Sequence, residues 1–264
     1  MTTGSTLVTG ASRGIGAAFA RRLAAAGQPL ILTARDSARL QALQAELRDR
    51  HAVPVETVAL DLAAAGAAEA LCRHCEAAGW VVEMLVNNAG FGRVGAFEAQ
   101  PLADYEAMLR VNVAGPMALC RHVLPAMKAR GRGAIVNVAS LAAFQPTPYL
   151  AVYGATKAFL LAFSEALAAE CAGTGVRVLA LCPGPTRTEF FAVAGFGAGR
   201  APDMPLMQTP EAVVEAALNA LQAGRFEAIP GWRNRLLAGV SRHLPRRWLL
   251  PLSARAMRTW CEDG

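Results

Sequence analysis

Thr6-Leu7-Val8-Thr9-Gly10-Ala11-Ser12-Arg13-Gly14-Ile15-Gly16 is the stretch on which the reading of this 264-residue chain turns. A short β-branched run over 6–9 meets glycines spaced GxxxGxG. A helical pattern then runs over 15–26 and stops at Gly27. Glycine allows a tight strand–helix turn and a close approach of backbone to phosphate, and the helix N-terminus favours an anion. The spacing is not the GxGxxG of the common dinucleotide fingerprint, and no Gly-Lys-Ser/Thr follows to make a triphosphate loop.

The same alternation continues along the chain. Strands are predicted at 30–34, 55–60, 82–86, 134–139 and 176–181. Helices are predicted at 38–50, over an Ala-rich stretch to 78, at 104–130 and at 151–172. Such regular alternation implies parallel βαβ units. The expected fold is therefore α/β, a Rossmann-type doubly wound parallel sheet in three layers (α/β/α), with ligands beyond the carboxyl ends of the strands. After Pro183 the periodicity weakens, and residues 190–205, rich in Gly and Pro, predict a long loop of the kind that often serves as a lid. Thr209-Pro210 marks another helix start, and 226–230 a last strand. One domain over 1–264 is expected, with a core at 5–230 and a C-terminal helical extension at 231–264. Pro245 and Pro251 should break any long helix there.

Two constellations carry chemistry. Arg35 follows the second strand, where a carboxylate would otherwise hold a ribose 2′-hydroxyl. With Arg13 it suits a 2′-phosphate, each charge-assisted contact contributing about 1.5–3 kcal/mol. Tyr153 and Lys157 lie one helical turn apart. A nearby ammonium favours phenolate, and bringing a tyrosine from about 10 to neutrality requires about 4 kcal/mol. Of 26 basic residues only Lys128 and Lys157 are lysines, which makes Lys157 conspicuous. Ser140, ending the fifth strand, emerges on the same side of the sheet as the glycine turn.

Together these residues resemble the short-chain dehydrogenase/reductase family over residues 5 to about 230. The motifs stand in order: Thr9–Gly16 (TGxxxGIG), Asn87–Gly90 (NNAG), Asn112, Ser140, Tyr153-x-x-x-Lys157, and Pro183, Gly184 and Thr188. The resemblance implies Tyr153 as proton donor in reduction and base in oxidation. Ser140 would orient the carbonyl, Lys157 would hold the nicotinamide ribose and lower the Tyr153 pKa, and Asn112 would hold a water in the proton relay. It implies a cofactor cradle of Gly10, Ser12, Arg13, Gly14, Ile15, Gly16 and Arg35, with Asp61 and Leu62 at the adenine. Asn88, Ala89 and Gly90 would line the same groove with Pro183, Gly184, Thr186 and Thr188. Thr186 replaces a more usual aliphatic residue. The arginines resemble the NADP-preferring branch, so the expected cofactor is NADP(H). The expected activity is reversible reduction of a carbonyl compound, with a β-ketoacyl-thioester reductase as the specific alternative. A non-catalytic NADP-binding regulatory protein is the rival that the intact Ser140, Tyr153, Lys157 and Asn112 oppose. Substrate contacts are expected from Phe144 and Tyr149 in 141–149, from 92–97, and from Phe190 in 190–207. This apolar set suggests a hydrophobic ketone, aldehyde or alcohol.

Composition bounds the remaining possibilities. At 54% hydrophobic and 17% charged residues the chain is neither disordered nor fibrous. The net charge of +6 falls almost wholly on 225–264, which carries +5, leaving +1 on the rest. A nucleic-acid partner is therefore not expected, since no basic stripe interleaved with aromatics occurs in 1–224. Six scattered cysteines, with no signal peptide ahead of Ser5, fit reduced thiols in a cytoplasmic protein. Cys72 and Cys75 lack a second ligand pair, so no metal is expected. The extension, with Trp232, Trp248 and Trp260 beside leucines and arginines, suits packing or a homodimer or homotetramer contact first, and a peripheral membrane contact second.

Overall fold

The computed structural model describes residues 4–196 and 207–262. Seven strands form one parallel sheet in the order β3-β2-β1-β4-β5-β6-β7. They are β1 (Ser5–Thr9), β2 (Leu30–Ala34), β3 (Val55–Ala59), β4 (Val82–Asn87), β5 (Gly133–Val138), β6 (Val176–Leu181) and β7 (Glu227–Ala228). Both faces are covered, so the strands read as continuous apolar runs rather than alternating ones. Val8, Leu32, Val86, Val136 and Leu179 face one core with α1 (Gly14–Ala24), α2 (Ser37–His51) and α8 (Pro210–Gln222). Leu7, Ile31, Leu85, Ile135 and Val178 face the other, with α3 (Ala67–Ala77), α5 (Gly115–Ala129) and α6 (Ala151–Glu170). The Rossmann-type expectation holds. Chain order reverses between β1 and β4, which opens a crevice at their carboxyl ends.

Two expectations about helices change. The single helix predicted over 104–130 is α4 (Leu102–Leu109), a π-helical turn (Arg110–Ala114) and α5. Gly115 N–H reaches Arg110 O across that wider turn. In the extension, Pro245 does separate α9 (Trp232–His243) from α10 (Arg246–Glu262), but Pro251 lies inside α10 without ending it. Its ring faces solvent, where water can take the carbonyl it leaves unpaired. An inward stripe of Leu249, Ser253 and Met257 holds the helix to the body. Of the predicted lid, Phe190–Ala194 forms the short helix α7, ended by Gly195 at φ +85°, and residues 197–205 lie outside the described residues.

Candidate active site

The glycine turn is shaped by what it touches. Gly10 and Gly14 have φ of +62° and +54°, which only glycine adopts freely. A Cβ on Gly10 would stand 2.8 Å from Ala89 Cα, and one on Gly14 would stand 2.9 Å from Thr188 Cγ2. One on Gly16 would strike Gly10 O. The Thr9 hydroxyl accepts from the backbone N–H of Asn88 and of Ala89, each at 3.0 Å. Asn88 Nδ2 donates to Thr9 O and Gly10 O, stapling the end of β4 to the turn after β1. The cradle is thus narrow, floored by backbone, and open at the N-terminus of α1, as a dinucleotide phosphate requires.

Beyond β5, Ser140 caps a 3-10 turn (Leu141–Phe144), its Oγ accepting from Ala142 N at 3.1 Å. Tyr153 and Lys157 sit in the first two turns of α6. Burial pushes the Tyr153 phenol up to about 12, and a side-chain hydrogen bond with Ser140 opposes that rise. Burial also brings Lys157 down to about 8. Lys157 Nζ donates to Val138 O at 2.7 Å and lies 5.7 Å from the Tyr153 ring centre. Lys157 is not among the groups that act on the phenol here. Desolvation outweighs every other influence on the phenol, and the opposing group is Ser140.

Asn112 is fully buried in the π-helical turn. Its Oδ1 accepts from Phe91 N at 3.1 Å, and its Nδ2 donates to Phe91 O at 2.9 Å and to Thr156 Oγ1 at 3.0 Å. Thr156 Oγ1 in turn donates to Tyr153 O at 2.7 Å. Asn112 therefore ties the loop after Gly90 to the backbone of the tyrosine.

One cavity of about 930 Å³ joins these groups. Gly10, Ser12, Arg13, Gly14, Ile15 and Arg35 line its cofactor end with Asp61, Leu62, Asn88, Ala89 and Gly90. Ser140, Tyr153, Lys157, Pro183, Gly184, Thr186 and Thr188 line its middle. Thr186 turns its hydroxyl to Gly184 O at 2.9 Å. The far end is walled by Phe190, Phe191 and Phe196 and by α9 and α10 through Leu237, Leu249 and Met257.

The match to the family model for short chain dehydrogenase covers residues 5–195. The chain belongs to the short-chain dehydrogenase family. Members of this family are oxidoreductases acting on CH–OH groups, and the cradle fits the nicotinamide dinucleotide they use. The short-chain dehydrogenase of Sphingobium yanoikuyae, solved in complex with NADPH, is 34% identical, with a TM-score of 0.81 over 97% of this chain and 95% of that one. The 7β-hydroxysteroid dehydrogenase of Collinsella aerofaciens is 33% identical over 87% of this chain and 86% of its own. Sulfoacetaldehyde reductase 2 of Chromohalobacter salexigens is 41% identical over 75% of this chain and 78% of its own.

Within this short-chain dehydrogenase, two of three expected aromatic substrate contacts are placed differently. Of Phe144, Tyr149 and Phe190, only Phe190 lines the cavity, its ring 5.1 Å from that of Tyr153. Phe144 is buried under the Arg242 guanidinium, 4.6 Å from its ring centre, because the 3-10 turn points it into the body. Tyr149, at φ +62°, packs with Leu150, Phe191 and Met257, and its carbonyl accepts from Gly95 N. In the 92–97 segment Gly92 lies against Tyr153 and Phe190, whereas Phe97 is exposed and stacked on Tyr105. Arg13 is also engaged differently: its guanidinium pairs with Glu189 at 2.8 Å, and Arg39 pairs with the same carboxylate at 2.7 Å. Neither Glu189 nor Arg39 was expected. Arg39 lies one helical turn after Arg35, the only hint the sequence offers. Arg35 itself is exposed and forms no ion pair with a described residue. Cys72 and Cys75 point into the core, burial raising both thiols.

Proposed function

We propose that this short-chain dehydrogenase is an NADPH-dependent reductase of apolar ketones or aldehydes, reversible as an alcohol dehydrogenase, working through Ser140, Tyr153, Lys157 and Asn112. The observation that carries this reading is the continuity of one cavity from the glycine turn, past Ser140 and Tyr153, to an apolar chamber under α9 and α10. The lining that α7, α9, α10 and residues 141–150 supply holds no charged side chain among the described residues. A sulfonate or a dianion would meet no cation there, so the hydroxysteroid-type relative is the better guide to substrate than the sulfoacetaldehyde reductase.

When bound, a reduced nicotinamide supplies the hydride. The chain manages orientation and the proton. With its pKa held near 12, the Tyr153 phenol keeps its proton through neutral pH and is ready to give it to a carbonyl oxygen. The Ser140 hydroxyl, close enough to lower that phenol's pKa, orients the same oxygen and steadies the growing alkoxide. Lys157, near 8, stands beneath Gly90 to reach a ribose and to pass protons onward. Asn112 acts as a positioning residue, holding Phe91 and, through Thr156, the tyrosine.

Preference for the 2′-phosphate is supported at Arg35. The carboxylate next to it in sequence, Asp36, is occupied: it caps α2 by accepting from Arg39 N and pairs with the Arg39 guanidinium. Self-association is supported by Leu102, Leu109, Met117 and Phe159, exposed on α4, α5 and α6. Five buried free thiols fit a reducing compartment such as the cytoplasm. No helix among the described residues is long and apolar enough to cross a membrane.

The test is NADPH consumption against panels of steroid, acyl-thioester and short-chain ketones. Tyr153→Phe should abolish turnover and leave NADPH binding within about threefold. Arg35→Ala should lower kcat/KM for NADPH by about tenfold or more, as expected for one charge-assisted contact, and leave NADH little changed. Turnover surviving in the Tyr153 variant, or acyl-thioesters outrunning free ketones, would overturn the assignment.

A further inference from the structure

We propose that the outer face of α9 and α10 seats on an anionic lipid surface, turning the mouth of the cavity toward the bilayer so that an apolar substrate enters from it. The substrate clause rests on the function proposed above; the surface itself does not.

The two helices are divided lengthwise. Asn234, Ala238 and Ser241 on α9 and Leu249, Ser253 and Met257 on α10 are buried against the body, each set at helical spacing. The opposite face carries Trp232, 63% exposed, and Trp248, 58% exposed, with Leu236 and Leu250 also in solvent. Leu237, Val240 and Leu252 belong to both surfaces, being exposed and also lining the cavity. The apolar patch is therefore the rim of the mouth, not a separate surface.

Charge narrows the partner. Residues 228–261 contain seven arginines (233, 235, 242, 246, 247, 255 and 258) and no Asp or Glu. Arg242 is paired with Glu227. Arg235, Arg246, Arg247 and Arg255 form no ion pair with a described residue, and Arg233 stacks over Trp232 at 5.1 Å. Tryptophan and leucine flanked by unpaired arginine match a bilayer interface, where rings lie at headgroup depth and guanidinium groups meet phosphates. A second copy of the chain would set the same unpaired arginines against each other across a twofold axis. An acidic soluble protein would answer the arginines and leave the tryptophans uncovered.

Flotation of the full chain with vesicles of phosphatidylcholine, with and without about 30% phosphatidylglycerol, tests this. Binding is expected to the anionic vesicles and to weaken as salt is raised. Replacing Arg235, Arg246 and Arg247 together by Gln should lower partitioning on the order of a hundredfold. Trp248→Ser with Leu250→Ser should lower it as well, because insertion and charge act together. Both variants should retain NADPH-dependent turnover of a water-miscible ketone, which reports on the catalytic reading independently. Failure to float, or flotation indifferent to the Trp248 and Leu250 changes, overturns the proposal. So does a fall in sedimenting mass of the Trp248/Leu250 variant, which would assign the face to a subunit contact.

Discussion

Lys157 and Tyr153 show at the scale of single residues how burial overrides proximity. Adjacency in the sequence suggested an ammonium pulling the phenol down. In the fold both groups are desolvated, and each moves toward its neutral form. For Lys157 the shift from 10.5 to about 8 means that the unfolded chain binds more protons than the folded one between those values. Stability therefore rises with pH across that window, and the full penalty, about 3 kcal/mol, applies below it. Tyr153, raised from 10.0 to about 12, works oppositely and only at higher pH. Lys157→Met should thus be more stable than the parent at pH 7, with the gap shrinking toward pH 10, as read by urea denaturation. A gap independent of pH would remove the buried charge as its cause. The Tyr153, Lys157 and Ser140 positions were legible because short motifs mark them. Glu189 and Arg39 were not, since their contact spans 150 residues and neither belongs to a local pattern.

Among elements, the π-helical turn is the feature with the widest reach. Val111-Asn112-Val113-Ala114 has ordinary helical composition, and an insertion in the hydrogen-bond ladder leaves no periodic signature over so few residues. That is why one helix was expected across 104–130. The turn presents Asn112 to Phe91 and Thr156 together. Asn112→Ala would leave the Phe91 amide and carbonyl without their partner in a half-buried place, which should cost about 1–3 kcal/mol. Chemical denaturation checks the magnitude. A split in kinetics, with kcat falling more than KM rises, would separate loss of tyrosine positioning from general loosening. Sheet order, by contrast, was legible, because buried parallel strands separated by helices leave strong apolar runs and few alternative pairings.

At the scale of the molecule, the extension is a wall of the site rather than an appendage. Composition singled out its charge and aromatics but not its position, because no local rule says where a terminal helix will dock. Ser241 on α9 reaches Gln145 Oε1, 96 residues away, at 3.2 Å, and both line the cavity. If α9 shapes the chamber, Val240→Phe at its mouth should lower kcat/KM for bulky ketones by tenfold or more and spare a short ketone. Equal loss on both substrates would instead indicate damage to the common chemistry.

The order in which these parts leave the ribosome follows from the same docking. Every strand, the glycine turn and the Ser140–Lys157 group precede residue 231, whereas the far wall of the chamber is written last, in α9 and α10. At about 5–20 residues per second, making those helices takes about 2–7 seconds. During that interval the apolar chamber lacks the wall that α9 and α10 supply. Until α10 docks, Phe191, Phe196 and Leu150 lack the cover that Met257 gives them in the finished fold.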